Sequence, residues 1–214
     1  MRRLVMALLP MLLFGQANTK GKMVVLLIGP PGSGKTTQAR KLSGLYRVPS
    51  ISMADILKKE GGWKKNKLDS KGLKVGVASG ELVNEDVANT LIAERISHKD
   101  ALRGFILDGY PTTYKQAEFL EAQLKERGLP APVALVLDVP DAVAIERMSE
   151  RRRIDDTPEI MQRRLADYHK ESQAVLERYR GSKQLRRVDG TVKPQEVWQQ
   201  IERALAEPAT EPRP

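Results

Sequence analysis

A glycine-rich stretch, GPPGSGKTT at residues 29–37, has the residue types of a loop that binds phosphate groups. It fits the pattern GxxxxGK(S/T), whose fixed positions are here Gly29, Gly34, Lys35 and Thr36. A triphosphate needs backbone N–H groups directed inward around it, and side chains in place of the glycines would block that approach. The lysine adds a positive charge for the β- and γ-phosphates, and the threonine hydroxyl can ligate Mg2+.

The residues on either side of this loop have the composition of a strand and a helix. Residues 23–28, MVVLLI, are uniformly apolar, as in a buried strand, and residues 35–46 carry apolar side chains at helical spacing. The N-terminus of that helix would direct its partial positive charge at the phosphates. This context favours a nucleotide-binding loop over a turn without a ligand.

Strands and helices alternate along the rest of the chain. Further strands are predicted over residues 48–51, 105–107, 133–139 and 185–188. Further helices are predicted over residues 53–60, 84–98, 112 or 113 to 127, 140–152, 157–180 and 194–206. Strands without polar alternation, separated by helices, indicate a parallel sheet covered on both faces. Ligands of such sheets bind at the carboxyl ends of the strands, where both the loop and Asp108 lie.

Composition restricts the class of protein. The length of 214 residues suits one domain, and 41% hydrophobic residues supply ample material for a core. Four of the 36 Lys and Arg residues lie in the first 22 positions, which contain no acid, so that the remainder carries a net charge of only +5. That excess suits small polyanionic ligands better than nucleic acid. The absence of cysteine excludes disulfides, thiolate metal sites and a catalytic thiol.

The first residues resemble a secretory signal. Residues 1–17 contain two arginines, an apolar core over 4–14 and small residues before a possible cleavage point. That core is too short to span a bilayer as a helix, so no membrane span is predicted. The alternative is translation from Met23, where the first strand begins. We expect an exported protein in the first case and a cytoplasmic protein in the second. In both cases the folded domain is expected over residues 23–207, followed by a disordered tail over 208–214.

Seven stretches follow one another in an informative order. They are GPPGSGKTT (29–37), ISMADILKKE (51–60), GELV (80–83), FILDGYPTTYKQAEFL (105–120), LDVPD (137–141), RMSERRRIDDTPEIMQRRLADYH (147–169) and VDGT (188–191). In this order and spacing they resemble the adenylate kinase family of nucleoside monophosphate kinases over residues 23–206. The resemblance implies an α/β fold, a three-layer P-loop sandwich with a central parallel sheet. It also implies a helical insert at 52–83 that binds the nucleoside monophosphate, and a very short lid at 147–156.

This resemblance implies transfer of the γ-phosphoryl group of Mg-ATP to a nucleoside monophosphate, with AMP as the expected acceptor. The ATP-binding residues that the resemblance implies are Gly32, Ser33, Gly34, Lys35, Thr36 and Thr37, with Arg147 against the adenine ring. The catalytic residues that it implies are Lys35, Asp108, Arg151, Arg153 and Arg164. The arginines would surround the transferring group, because a planar guanidinium binds phosphate oxygens in pairs. Asp108 would hold Mg2+, directly or through water, together with Thr36.

The acceptor half departs from the family pattern. The resemblance implies contacts to the monophosphate from Ser52, Met53, Lys58, Glu81, Val83, Gly109, Thr112 and Gln116, the last of which would contact the nucleobase. The family motifs STGDxLR and DGFPRT appear here as SMADILK and DGYPTT, so both arginines that would hold the acceptor phosphate are changed, to Lys58 and Thr112. Loss of a paired cation could cost several kcal/mol of binding. Lys115, or a cluster of Lys64, Lys65 and Lys67, could restore the charge.

The lid also departs from the common form. Only Arg152 separates Arg151 from Arg153, which leaves no room for a zinc-bearing lid, so the expected cofactor is Mg2+ with ATP and no zinc. The expected partners are ATP and AMP, or another nucleoside monophosphate, and the resemblance implies a monomer. Two alternatives remain open: a kinase for a different monophosphate or small hydroxyl compound, and a nucleotide-binding module with weak turnover. The retained cations argue against the second, because a pure binder needs none around the transferring group.

Overall fold

Five parallel strands form one sheet in this computed structural model, which describes residues 21–59, 84–151 and 156–206. The strands are β1 (Met23–Ile28), β2 (Ser50–Ser52), β3 (Gly104–Asp108), β4 (Val133–Asp138) and β5 (Leu185–Asp189). Their order across the sheet is β2-β3-β1-β4-β5, so that β1 lies at the centre. Its neighbours are β3, with Leu27 opposite Asp108, and β4, with Ile28 opposite Val136. The expected parallel sheet is confirmed.

Seven α-helices and one short 3-10 helix, Lys99–Ala101, connect the strands within the described ranges. The α-helices are α1 (Lys35–Tyr46), α2 (Met53–Lys59), α3 (Glu85–Ile96), α4 (Tyr114–Glu126), α5 (Asp141–Glu150), α6 (Pro158–Gly181) and α7 (Pro194–Ala206). Each matches a predicted helix within about two residues at either end, the usual uncertainty of a helix boundary.

Capping side chains explain several of the helix starts. Asn84 accepts a hydrogen bond from the backbone N–H of Asp86 at 2.9 Å, at the start of α3. Thr113 caps α4, and Thr157 caps α6 immediately before Pro158. These side chains satisfy N–H groups that have no partner inside the helix. The helices therefore begin where the sequence supplies a cap.

The sheet is buried on both faces, as its uniformly apolar strands predict. On one face, α2, α3, α4 and α6 cover side chains such as Leu26, Phe105 and Leu107. On the other face, α1 and α7 cover the alternate residues, such as Leu27 and Ile106. The result is the expected three-layer α/β sandwich.

A smaller apolar cluster joins α5 to α6. It consists of Ala144, Met148, Met161 and Leu165, all of them buried. Because α5 and α6 follow one another in the sequence, this contact holds the two ends of their connecting segment close together.

Parts of the predicted organisation lie outside the described residues. The insert and the lid extend into 60–83 and 152–155, and the leading segment and the tail fall largely on 1–20 and 207–214. The domain bounds therefore stay predictions. In the described ranges, no helix is both long enough and apolar enough to cross a bilayer.

Candidate active site

The glycine-rich loop connects the carboxyl end of β1 to α1. Gly34 is the N-cap residue of α1, and its φ of 91° lies in the left-handed region that favours glycine. Gly32 also has a positive φ, 86°, and a Cβ atom there would lie 2.5 Å from the carbonyl oxygen of Ala144 on α5. The sequence explained this glycine by access to phosphate. The structure adds a second reason, which is close packing of the loop against α5.

Lys35 folds back onto this loop. Its Nζ donates hydrogen bonds to the carbonyl oxygens of Gly29 at 2.6 Å and Pro30 at 2.9 Å. Burial lowers the pKa of Lys35, the charge of Asp108 opposes that effect, and the charge of Arg151 adds to it. An anion bound beside Nζ would offset the cost of burying the ammonium group.

The two residues predicted to hold Mg2+ are in direct contact. The Thr36 hydroxyl donates a hydrogen bond of 2.6 Å to Oδ2 of Asp108. Asp108 is buried at the carboxyl end of β3, where the sheet places it next to the end of β1. A hydroxyl and a carboxylate oxygen are ligands that Mg2+ accepts, with substrate phosphates and waters completing its octahedron. The pair fits that ion.

In the part of the chain that the structure describes, no larger cluster of His, Cys, Asp or Glu ligands accompanies this pair. Within the ranges 21–59, 84–151 and 156–206, no group of three or more His, Cys, Asp or Glu residues could hold a metal ion. An ion at Thr36 and Asp108 would thus depend on phosphate oxygens for further ligands.

Two of the predicted catalytic arginines meet on one buried carboxylate. Asp156, whose side chain is only 1% exposed, accepts hydrogen bonds from Arg151 Nε at 2.5 Å and Nη2 at 2.9 Å. Its Oδ1 also accepts one from Nη1 of Arg164 at 2.9 Å. Arg151 follows α5 directly and Arg164 lies on α6, so packing between those helices brings the pair together. The third arginine, Arg153, lies outside the described residues.

Asp156 is a residue that the sequence analysis did not select. The signal was present in the IDD motif at 154–156, which lies between the arginines. Its importance follows from the two guanidinium contacts, which spacing alone does not reveal.

Arg147 links α5 to the turn after β5. Its Nη1 donates to the carbonyl oxygen of Gly190 at 2.7 Å, and its Nη2 lies 3.4 Å from that of Thr191. The turn is stabilised by Asp189, whose carboxylate accepts hydrogen bonds from the Thr191 hydroxyl and N–H, and these bonds lower the pKa of Asp189. The predicted contact of Arg147 with adenine would therefore occur between α5 and this turn.

The first group of predicted acceptor residues lies at the β2–α2 junction. The Ser52 hydroxyl accepts a hydrogen bond of 3.4 Å from the N–H of Asp55, as expected of a cap, and Met53 is buried. Lys58 Nζ lies 3.8 Å from Asp55 Oδ1 in an exposed ion pair. Glu81 and Val83 lie outside the described residues.

The second group lies between β3 and α4. Gly109 has a φ of 80°, and the chain then leads through Tyr110 and Pro111 to Thr112. Oε1 of Gln116 accepts hydrogen bonds from the Thr112 backbone N–H at 2.7 Å and from its hydroxyl at 3.0 Å. Gln116 is 3% exposed. The residue in place of the family's arginine thus binds the glutamine that is predicted to contact the nucleobase.

Lys115, which is predicted to replace the missing arginine charge, makes only a weak ion pair. Lys115 is 80% exposed, and its Nζ lies 3.9 Å from Oε2 of Glu85. The alternative cluster of Lys64, Lys65 and Lys67 lies outside the described residues.

Comparison with known proteins places this arrangement in a family. The family model described as adenylate kinase matches residues 27–184. An adenylate kinase of Chelativorans sp. (strain BNC1) is 38% identical over 194 residues, covering 86% of this chain and 99% of that protein. One of Rhizobium meliloti (strain 1021) is 35% identical, with 86% and 100% coverage. One of Mycobacterium tuberculosis (strain ATCC 25618 / H37Rv) is 38% identical, with 86% and 99% coverage.

Proposed function

The chain belongs to the adenylate kinase family, and from this premise we propose that it transfers the γ-phosphoryl group of Mg-ATP to AMP, forming two molecules of ADP. The class of enzyme is an ATP-dependent nucleoside monophosphate kinase. One observation carries the proposal for the site: the phosphate-binding loop packs at Gly32 against α5, the helix that ends directly before Arg151, and Arg151 shares the carboxylate of Asp156 with Arg164. Such convergence of cations on a phosphate-binding loop is what phosphoryl transfer requires.

The donor half binds ATP through the loop and the start of α1. Backbone N–H groups from Gly32 to Thr37 surround the phosphates, and Lys35 exchanges its carbonyl partners for phosphate oxygens. Thr36 and Asp108 would hold Mg2+, directly or through water. When bound there, the ion would supply positive charge to the triphosphate.

The arginines stabilise the charge that spreads over the transferring group. Arg151 and Arg164 are already fixed by Asp156, so little reorganisation is needed when the reaction begins, and Arg153 supplies a third guanidinium. Support for this assignment comes from the burial of Asp156, because a buried carboxylate with two guanidinium partners holds both in a defined geometry.

The acceptor half binds AMP with fewer fixed cations. Gln116 contacts the nucleobase, and because its Oε1 already accepts two hydrogen bonds from Thr112, its amide N–H groups are the ones left to donate. Lys58 stands at the position of the family's arginine on α2 and contacts the acceptor phosphate; its ion pair with Asp55, 3.8 Å long and exposed, is of the weak kind.

A coupled assay with Mg-ATP and AMP, CMP, UMP, GMP or dAMP in turn tests this function. We expect ADP formation with AMP, and the variant Lys35→Ala should lower kcat about a hundredfold to a thousandfold, the usual effect of losing a charge-stabilising group. The matched control is Lys41→Ala, on the same helix but directed at the ring of Trp198, 5.6 Å away. Turnover only with another acceptor would contradict AMP as the substrate, and near-normal turnover of Lys35→Ala would contradict the donor site.

For the cell compartment we favour translation from Met23 and a cytoplasmic enzyme. The strand β1 begins at Met23, and the match to the family model begins at residue 27. N-terminal sequencing of natively expressed protein should give Met23 or the residue after it. A start a few residues after position 17 would instead support export.

A further inference from the structure

Two polar bridges connect α3 to the segment that opens α4. The Tyr110 hydroxyl donates a hydrogen bond of 2.6 Å to Oδ1 of Asn89 on α3. The Thr113 hydroxyl donates a short hydrogen bond to Oε1 of Glu85, the first residue of α3. We call these four residues, Glu85, Asn89, Tyr110 and Thr113, the clasp.

Tyr110 is the buried member of the clasp. It is 2% exposed and belongs to the apolar cluster beneath α3, α4 and α6. A hydroxyl in such surroundings is costly unless it has a hydrogen-bond partner, so the bond to Asn89 restricts where the ring can lie relative to α3. Burial, with smaller contributions from Tyr179 and Glu85, raises the pKa of Tyr110, and the hydroxyl keeps the proton that it donates.

The clasp contacts Gln116 and the residues that hold it in place. The Tyr110 hydroxyl lies 3.2 Å from the backbone oxygen of Gln116, which is a second acceptor for it. Thr113 caps the backbone N–H of Gln116 at 3.3 Å, and Thr112 holds its side chain. A shift of α3 would therefore reach the backbone of Gln116 through Tyr110 and Thr113.

We propose that Tyr110 is a positioning residue for the acceptor nucleotide: its hydroxyl fixes α3 against the segment 112–116, so that Gln116 meets the nucleobase in one orientation. This inference rests on the proposed function. The donor loop is not part of the clasp, which lies between α3 and α4, so the effect is confined to the acceptor.

The variant Tyr110→Phe tests the proposal, because it removes the hydroxyl and keeps the ring. We expect the KM for AMP to rise roughly fivefold, the effect of losing one hydrogen bond between uncharged groups. The KM for ATP should be unchanged and kcat should stay within about twofold. A purely structural role would lower Tm without separating the two KM values.

Tyr179→Phe is the matched control. Tyr179 is also buried in the same apolar cluster, but its hydroxyl has no hydrogen-bond partner among the residues that the structure describes. Removing that hydroxyl should leave both KM values unchanged. If Tyr110→Phe behaves like this control, the proposal is overturned.

A double-mutant cycle with Asn89→Leu identifies the partner. If the hydroxyl acts through Asn89, the double variant should show nearly the same KM for AMP as either single variant. If the two substitutions instead raise the KM for AMP independently, so that their fold-changes multiply in the double variant, the role of Asn89 is overturned. Failure of the proposed function has a different signature: wild-type protein that does not phosphorylate AMP removes the basis of this inference, whereas an active enzyme with unchanged KM values in Tyr110→Phe overturns the clasp alone.

Discussion

At the scale of single residues, Asp156 holds two of the predicted catalytic arginines, Arg151 and Arg164. A carboxylate that is almost completely buried carries a large desolvation cost, which its three guanidinium contacts offset. The same contacts hold Arg151 and Arg164 at a fixed separation before any substrate binds. Preorganised cations stabilise transition-state charge without reorganisation at the moment of reaction.

Thr112 is the residue at which the acceptor site departs most from its family. We expect Thr112→Arg to lower the KM for AMP, by roughly tenfold, because a guanidinium at the start of α4 adds a charge-assisted contact to the acceptor phosphate. The backbone N–H of residue 112 would still hold Oε1 of Gln116. Steady-state kinetics with AMP varied at saturating ATP measure the effect.

Lys115→Ala is the companion variant for this prediction. Lys115 is mostly exposed and lies 3.9 Å from Glu85, so its loss should change the KM for AMP little. If Thr112→Arg leaves that KM unchanged while Lys115→Ala raises it, Lys115 already supplies the missing charge.

At the scale of elements, the contact between the glycine-rich loop and α5 joins the predicted donor site to the predicted catalytic arginines. The loop approaches α5 at Gly32, and Arg151 follows the end of the same helix. Within α5, between these two points, Arg147 donates a hydrogen bond to the turn after β5. One helix therefore contributes to the phosphate, arginine and predicted adenine parts of the site, and its position depends on close packing at one glycine.

Gly32→Ala tests that packing. A Cβ atom would lie 2.5 Å from the Ala144 carbonyl oxygen, and the φ of 86° is unfavourable for alanine, so we expect about 1–3 kcal/mol of destabilisation and weaker ATP binding. Gly44→Ala on α1 is the matched control. Gly44 lies within a helix, and a Cβ atom there would meet no described atom within 4 Å, so the change should stabilise by about 0.5–1 kcal/mol. Urea denaturation measures the change in the free energy of unfolding for each variant. Equal changes in the two variants would contradict the packing argument.

At the scale of the whole molecule, the sheet needs no second copy to cover it. Helices bury both faces, and the edge strands are protected from pairing, since β2 has three residues and β5 carries Arg186 and Arg187. Among the described residues, the exposed large apolar side chains are Leu45 on α1, Leu102 directly after the 3-10 helix and Tyr114 at the start of α4. The guanidinium of Arg178 covers the ring of Tyr114 at 4.8 Å.

We therefore propose a monomer in solution. Sedimentation equilibrium of the full chain should give a mass near 23.9 kDa at all concentrations. A mass close to twice that value, or one that rises with concentration in the micromolar range, would contradict the monomer.

The amino-acid sequence by itself determined how strands and helices follow one another along the chain, that the sheet is parallel, and where the phosphate-binding loop lies. These features depend on apolar runs, helical spacing and capping residues, which act over a few neighbouring positions. The position of Asp108 beside this loop also followed, because parallel strands bring their carboxyl ends to one edge, and the structure adds the hydrogen bond from Thr36 to Asp108.

Only the tertiary structure decided which side chains share a partner. The meeting of Arg151 and Arg164 on Asp156, the hold of Thr112 on Gln116 and the bond from Tyr110 to Asn89 all depend on rotamers and on packing between elements. The reason is physical: a local pattern specifies which face of an element is buried, whereas the distance between two side chains depends on how whole elements pack against each other.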